Sequence, residues 1–243
     1  MGISEDKEAL RRRIWKLMEE SGVSRFPRPV IGRIPNFEGS ERAAIDLAGQ
    51  PEFQSARVVK VNPDSPQIPV RRISLSRGKL LIMPSPRLRA GFLVLDPDVI
   101  PRSAVGGAST IRGAFRYGRP LGIEDLPRID LIVAGSVAAS ADGARVGKGG
   151  GYSEIEYGIL RELGLVEEET PIFTTVHDVQ VVDEAPVEDH DFAVDVIITP
   201  TRVIRVKRRR PQPGGIIWDK ITSDMLEKMP ILRELKSLHH HGE

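Results

Sequence analysis

The stretch DLIVAGSVAASADGARVGKGGGYSEIEYGILREL, residues 130–163, holds a strand, a loop and a helix in one passage. DLIVAGSVAA (130–139) is an unbroken run of apolar and small residues, the pattern of a strand buried on both faces. Asp142-Gly143 marks a turn. Gly147 and Gly149 to Gly151 then open onto a predicted helix over 153–163, SEIEYGILREL. A buried strand that feeds a helix through a short loop is the building unit of a parallel sheet covered by helices.

Outward from this passage the alternation continues. ARVVKVN (56–62), KLLIMP (79–84), GFLVLD (91–96), PIFTTVHD (171–178) and VDVIITPTRVIRV (194–206) read as further buried strands, with a helix expected over 68–77. Residues 4–21 predict another helix, with Leu10, Ile14, Leu17 and Met18 on one face, Ser4 as its cap and Gly22 as its stop. Ser40 caps a helix over 40–49. Between these two, SRFPRPVIGRIPNFEG (24–39) is broken by three prolines and two glycines and reads as irregular. The expected fold is α/β, a three-layer, mostly parallel sheet with helices on both faces, over residues 1–206. KRRRPQPGG (207–215) reads as a basic Pro/Gly linker, and 216–243 as a short helical C-terminal extension and tail.

Composition narrows the chemistry. Lys and Arg number 35 against 34 Asp and Glu, so no global field draws the chain to nucleic acid or membrane. Cysteine is absent, which removes disulfides, thiolate nucleophiles and Cys-based zinc sites. Three of the five histidines are His239, His240 and His241, a weak metal tract or a purification remnant, so only His177 and His190 remain as candidate imidazole acid–base groups. With Gly at 23 and Pro at 19, roughly 17% of residues favour turns, against an average of about 12%. No apolar run nears the roughly 20 residues that cross a bilayer, and MGISEDKEALRRR at the N-terminus has no apolar core. A soluble, cytoplasmic protein is the expectation.

The glycine loop is the chemically informative part. It sets bare backbone N–H groups and a helix N-terminus around one concavity, with Arg145 and Lys148 in the same loop. Such a cup suits phosphate oxygens, and a polyphosphate is its natural occupant. The loop is neither standard nucleotide fingerprint. A dinucleotide match from Gly147 needs a third glycine where Tyr152 stands, and GARVGK (143–148) is one residue short of a P-loop. Close strand–helix packing is the competing explanation for the glycines.

Arg145-Val146-Gly147-Lys148-Gly149-Gly150-Gly151-Tyr152 resembles the signature of the 5-formyltetrahydrofolate cyclo-ligases, also called methenyltetrahydrofolate synthetases. A second block, Gln180, Pro186, His190-Asp191, Asp195 and Thr199, is similar to that family's, and Lys7 to Arg11 match its N-terminal Lys-x-x-Leu-Arg. The resemblance is strongest to the divergent branch called methenyltetrahydrofolate synthetase domain-containing proteins, and it covers roughly residues 7–206. It implies ATP- and magnesium-dependent closure of 5-formyltetrahydrofolate to 5,10-methenyltetrahydrofolate. By that pattern Lys7, Arg11, Arg145 and Lys148 bind the nucleotide, with Arg145 and Lys148 catalytic. Gly147, Gly149, Gly150 and Gly151 cradle the phosphates and Tyr152 closes the pocket. Glu154 aligns with a magnesium-associated Asp, and first-turn helix capping explains it equally.

Departures from the pattern fall on the substrate side. Ala139-Ser140 stand where the family carries Phe-Asp, and the folate-contacting Glu has no match near Asp64, Pro66 and Gln67. Phe37, Phe92, Phe115 and Tyr117 are the candidate stacking partners, and core packing accounts for each as well. A non-enzymatic nucleotide- or RNA-binding protein on the same scaffold is therefore the alternative, with Arg205, Lys207, Arg208, Arg209 and Arg210 as its basic run. His177 reads as a hydrogen-bonded structural group, and a turn with Asx-type bonding explains His190-Asp191 as well as the family block does.

Overall fold

A computed structural model describes residues 2–240, with side chains through residue 238. The tract His239–His241 falls outside the described side chains. In chain order the elements are α1 (Ile3–Glu20), β1 (Ser24–Arg25), β2 (Asn36–Phe37), α2 (Ser40–Ala48), α3 (Pro51–Ser55), β3 (Val58–Val61), α4 (Ile68–Ser76), β4 (Leu80–Pro84) and β5 (Phe92–Leu95). Then come α5 (Val105–Ala108), α6 (Ile111–Tyr117), β6 (Arg119–Leu121), β7 (Leu131–Ala134), β8 (Ala138–Ser140), β9 (Arg145–Val146), α7 (Tyr152–Glu162) and β10 (Ile172–Thr175). The chain ends with β11 (Val181–Val182), β12 (Val196–Ile198), β13 (Val203–Arg205), α8 (Ser223–Lys228) and α9 (Pro230–His240).

The main sheet runs β13-β12-β10-β7-β3-β4-β5-β6. From β12 to β4 every pairing is parallel; β13, β5 and β6 add antiparallel edges. Alternate strand residues go to opposite faces, and both faces are dry. Val59, Leu81, Val133 and Phe173 pack with α1, α2 and α4, while Ile82, Ile132, Ile172 and Ile197 pack with α7 and α9. That double burial makes the strands apolar without alternation and gives the expected three layers.

Several boundaries differ from expectation. The run 130–139 is two strands, β7 in the main sheet and β8 in a separate sheet ordered β11-β8-β9. Gly135-Ser136 interrupt it, and Ser136 turns its hydroxyl to Thr174 Oγ1 at 2.8 Å. The run 194–206 is a hairpin, because Thr199 accepts from the amides of Thr201 and Arg202 and bends the chain. Ser4 and Ser40 lie inside their helices. Gly2 and Gly39 are the caps, the first held by the Glu5 carboxylate at 3.1 Å. The segment 105–121, read as no element, forms α5, α6 and β6. Gly113 lets α5 and α6 touch there, since a Cβ would lie 1.9 Å from Gly107 O.

Residues 207–215 have no helix or strand and are anchored on the body. Arg208 pairs with Glu168 and Asp195, and buried Gln212 bonds both backbone groups of Ala193. Beyond them, Met229, Ile231, Leu232 and Leu235 bury α9 against the second face. Among the described residues no helix is long and apolar enough to cross a membrane.

Candidate functional site

A cleft of about 740 Å3 opens at the carboxyl ends of β3 and β4, where ligands gather in open α/β sheets. One wall is the loop from Gly147 to Tyr152, between β9 and α7. Gly149 (φ +100°) and Gly151 (φ +66°) are left-handed, a conformation glycine adopts without penalty. Among the described residues, no backbone N–H from Lys148 to Gly151 donates to a protein acceptor. Those amides remain available to an anion at the N-terminus of an eleven-residue helix.

Four predicted cations come together at this wall in different roles. Arg145 lies buried under the loop, its Nη1 2.5 Å from Glu154 Oε1 and its guanidinium carbon 4.6 Å from the Phe192 ring centre. Its Nε has no hydrogen-bond partner among the described residues. Arg11 Nε donates to Gly147 O at 2.8 Å, so it holds the loop's backbone. A Cβ on Gly149 would lie in ordinary contact with that same guanidinium, 3.4 Å away. Lys7 is buried between Glu188 Oε2 (2.8 Å) and Asp191 Oδ2 (2.5 Å). Lys148 is the exposed cation of the loop, paired with Asp64 Oδ1 at 2.8 Å.

Glu154 serves Arg145. Burial by itself raises its carboxyl, but the adjoining guanidinium outweighs this and holds the group below the usual carboxylate range. Among the described residues no group of three or more His, Asp or Glu side chains is placed to hold a metal. With Glu154 committed to Arg145, the side chains present do not build a cage for a resident magnesium ion.

Sequence reasoning missed a buried network behind the loop. Lys60 in central β3 donates to Glu156 Oε2 at 2.6 Å and to Asn62 Oδ1 at 3.0 Å, and Asn62 Nδ2 reaches Ser153 Oγ at 3.0 Å. Burial pushes the Glu156 carboxyl up, with Lys60 opposing. The signal was present, a lysine flanked by valines inside an apolar strand, since a charge is buried only with a partner. Arg71, fully buried in α4, donates to the carbonyls of Ser109, Asn62 and Asp64 and fixes the floor of the cleft. Burial lowers its pKa to about 10.

The cleft is also lined by Ile34, Pro63, Pro86 and Ile111, with Arg87 exposed beside them. Arg87 and Leu88 are consecutive non-glycine residues at φ +58° and +52°. Ser85 locks this turn, its hydroxyl bonding Gly91 O and the Ala90 N–H, each at 2.9 Å. Paired left-handed residues of this kind cost energy and gather at ligand sites.

Other expected residues fall elsewhere. Phe37 and Phe92 are core and Phe115 faces solvent; none of these, nor Tyr117, lines the cleft, where Tyr152 is the aromatic side chain present. Ala139-Ser140 are buried in β8, away from it. His177 caps the turn 178–180 through its Nδ1, and burial lowers its pKa. Gln180 bonds the carbonyls of Ser136 and Val137. His190 does line the cleft, 3.0 Å from Lys220 Nζ through Nδ1. Arg205 binds Glu52, so the basic run 205–210 spends part of its charge on the body.

This is an α/β protein with an amide-lined glycine loop at the carboxyl edge of its sheet. The chain belongs to the 5-formyltetrahydrofolate cyclo-ligase family, whose profile matches residues 3–200. It is similar to the methenyltetrahydrofolate synthase domain-containing proteins of Bos taurus (46% identity) and Mus musculus (45%), each over 95% of this chain. It spans 62% and 63% of those relatives' lengths. Its fold is similar to the solution structure of Aquifex aeolicus 5,10-methenyltetrahydrofolate synthetase, with TM-score 0.53 and 22% identity over 86% of this chain and 95% of that one.

Proposed function

We propose that this chain closes 5-formyltetrahydrofolate, or a related reduced pterin, to its 5,10-methenyl form at the expense of ATP. The observation that carries the reading is the run of unbonded amides from Lys148 to Gly151, facing a cleft that also holds Lys148 and Arg87. Family membership supplies the reaction class.

A formamide oxygen is a poor leaving group. In the first step it attacks the γ-phosphorus of ATP, the bond to the β-bridging oxygen breaks, and ADP departs. The formyl carbon is then an activated imidate. N10 attacks it, loses its proton, and the carbon–oxygen bond breaks to release inorganic phosphate and leave the methenyl bridge. Positioning and charge neutralisation dominate such chemistry. The amides of 148–151 hold the phosphates, and Lys148 swings from Asp64 to the γ-phosphoryl. Arg145 and Arg11 are positioning residues that fix the loop from below and behind. Lys7 ties α1 to the 188–191 turn and so closes the end of the cleft. A magnesium ion carried by the nucleotide would supply charge neutralisation on the phosphates, a task that Lys148 and the loop amides share here.

Elsewhere in the cleft, Ile34, Pro63 and Pro86 offer aliphatic contact to a ring, and Arg87 offers a fork for a carboxylate. The test is ADP release measured beside methenyl absorbance with 5-formyltetrahydrofolate. Equal amounts of both are expected, and no rise in either removes the reading.

A further inference from the structure

The C-terminal extension borders a second, smaller and open cavity beside the glycine loop. It measures about 170 Å3 and continues the main cleft, because Gly151, Glu154 and His190 line both. Ile155 of α7 forms one part of its wall, and Ile216, Ile221 and Met225 of the extension form another. Lys220 and His190 mark its polar end. This wall is fastened: the Ile216 N–H and Trp218 Nε1 both donate to Glu162 Oε1, at 2.9 and 3.0 Å. Residues 216–225 lie outside the 3–200 that match the family profile.

We infer that this cavity receives the nucleobase of the nucleoside triphosphate whose phosphates lie on the glycine loop. The inference rests on the phosphate reading of that loop. A ligand anchored at Gly151 is already at the mouth of the cavity. The volume lies below the roughly 300 Å3 at which pockets begin to hold drug-sized molecules, so it suits one ring system and not a whole nucleotide. Isoleucines and a polarizable methionine suit the face of a flat heteroaromatic ring. Lys220 supplies a donor for a ring nitrogen or an exocyclic oxygen.

The test is calorimetric titration of the full chain with a non-hydrolysable ATP analogue and, separately, with inorganic tripolyphosphate. The wild type should hold the analogue at least about 10-fold tighter, a gap of about 1.4 kcal/mol. Ile221→Trp fills the cavity from the extension, and Met225→Trp fills it from the neighbouring helix. Each should bring the analogue to the affinity of tripolyphosphate while leaving tripolyphosphate binding unchanged, which also reports an intact loop. Variants that bind tripolyphosphate and still hold the analogue as tightly as the wild type overturn the inference. So does a wild type that binds both ligands equally, with the phosphate reading left standing. A wild type that binds neither ligand removes the phosphate reading itself and the inference with it.

Discussion

Arg145 Nη1 meets Glu154 Oε1 at 2.5 Å, joining the strand that enters the glycine loop to the first turn of the helix that leaves it. The two side chains are 1% and 12% exposed, so this clasp operates with little water around it. Removing one partner leaves a buried charge uncompensated, and that decides the first expected outcome.

Glu154→Gln should cost about 3 kcal/mol or more at neutral pH. Glu154 ionises more readily folded than unfolded, so its contribution is present above its ordinary value of 4.5 and is lost as pH falls through the lower folded value. The gap between wild type and variant should therefore narrow in acid. Urea unfolding at pH 7 and near pH 4 checks this; a gap that is constant across that range contradicts it.

Lys60 and Glu156 make a second buried pair at 2% and 5% exposure. Lys60→Met alone should cost about 3–5 kcal/mol, whereas Lys60→Met with Glu156→Leu should recover most of it. Unfolding midpoints of the two variants decide the matter. A double variant no more stable than the single one would show that packing, not charge, holds this region.

Lys148 is 43% exposed, so its pair with Asp64 adds little stability. Lys148→Ala should change folding stability by no more than about 1 kcal/mol. ATP affinity should nonetheless fall about tenfold, because a charge-assisted contact to phosphate is lost. Thermal unfolding beside calorimetric ATP titration separates the two effects.

Arg87 stands in a left-handed conformation that costs a side-chain-bearing residue about 1–2 kcal/mol. Arg87→Gly relieves that strain, so stability should hold or rise. The KM for 5-formyltetrahydrofolate should rise about tenfold, with the KM for ATP unchanged. A drop in stability with unaltered KM would assign Arg87 to packing.

The layers and the glycine loop were legible in the sequence, because both depend on local patterns. Apolar runs such as KLLIMP announce strands buried on both faces, and consecutive glycines announce backbone free of side chains. The breaks inside 130–139 and 194–206 were not legible, since Ser136 and Thr199 end those strands through bonds made in the folded state. Arg145 and Lys148 read alike as loop cations. Only the fold separates them, by placing Glu154 and Phe192 around one and solvent around the other. Arg87 gave no local signal, because its strained turn is held by Ser85 through contacts within 85–91 that propensity does not encode.

The most direct measurement of the central claim is an amide NMR titration of the full chain with a non-hydrolysable ATP analogue. The account predicts that the N–H resonances of Lys148, Gly149, Gly150 and Gly151 shift together and saturate with one ligand per chain. Resonances that stay fixed while the analogue binds elsewhere, or at no site, would contradict it.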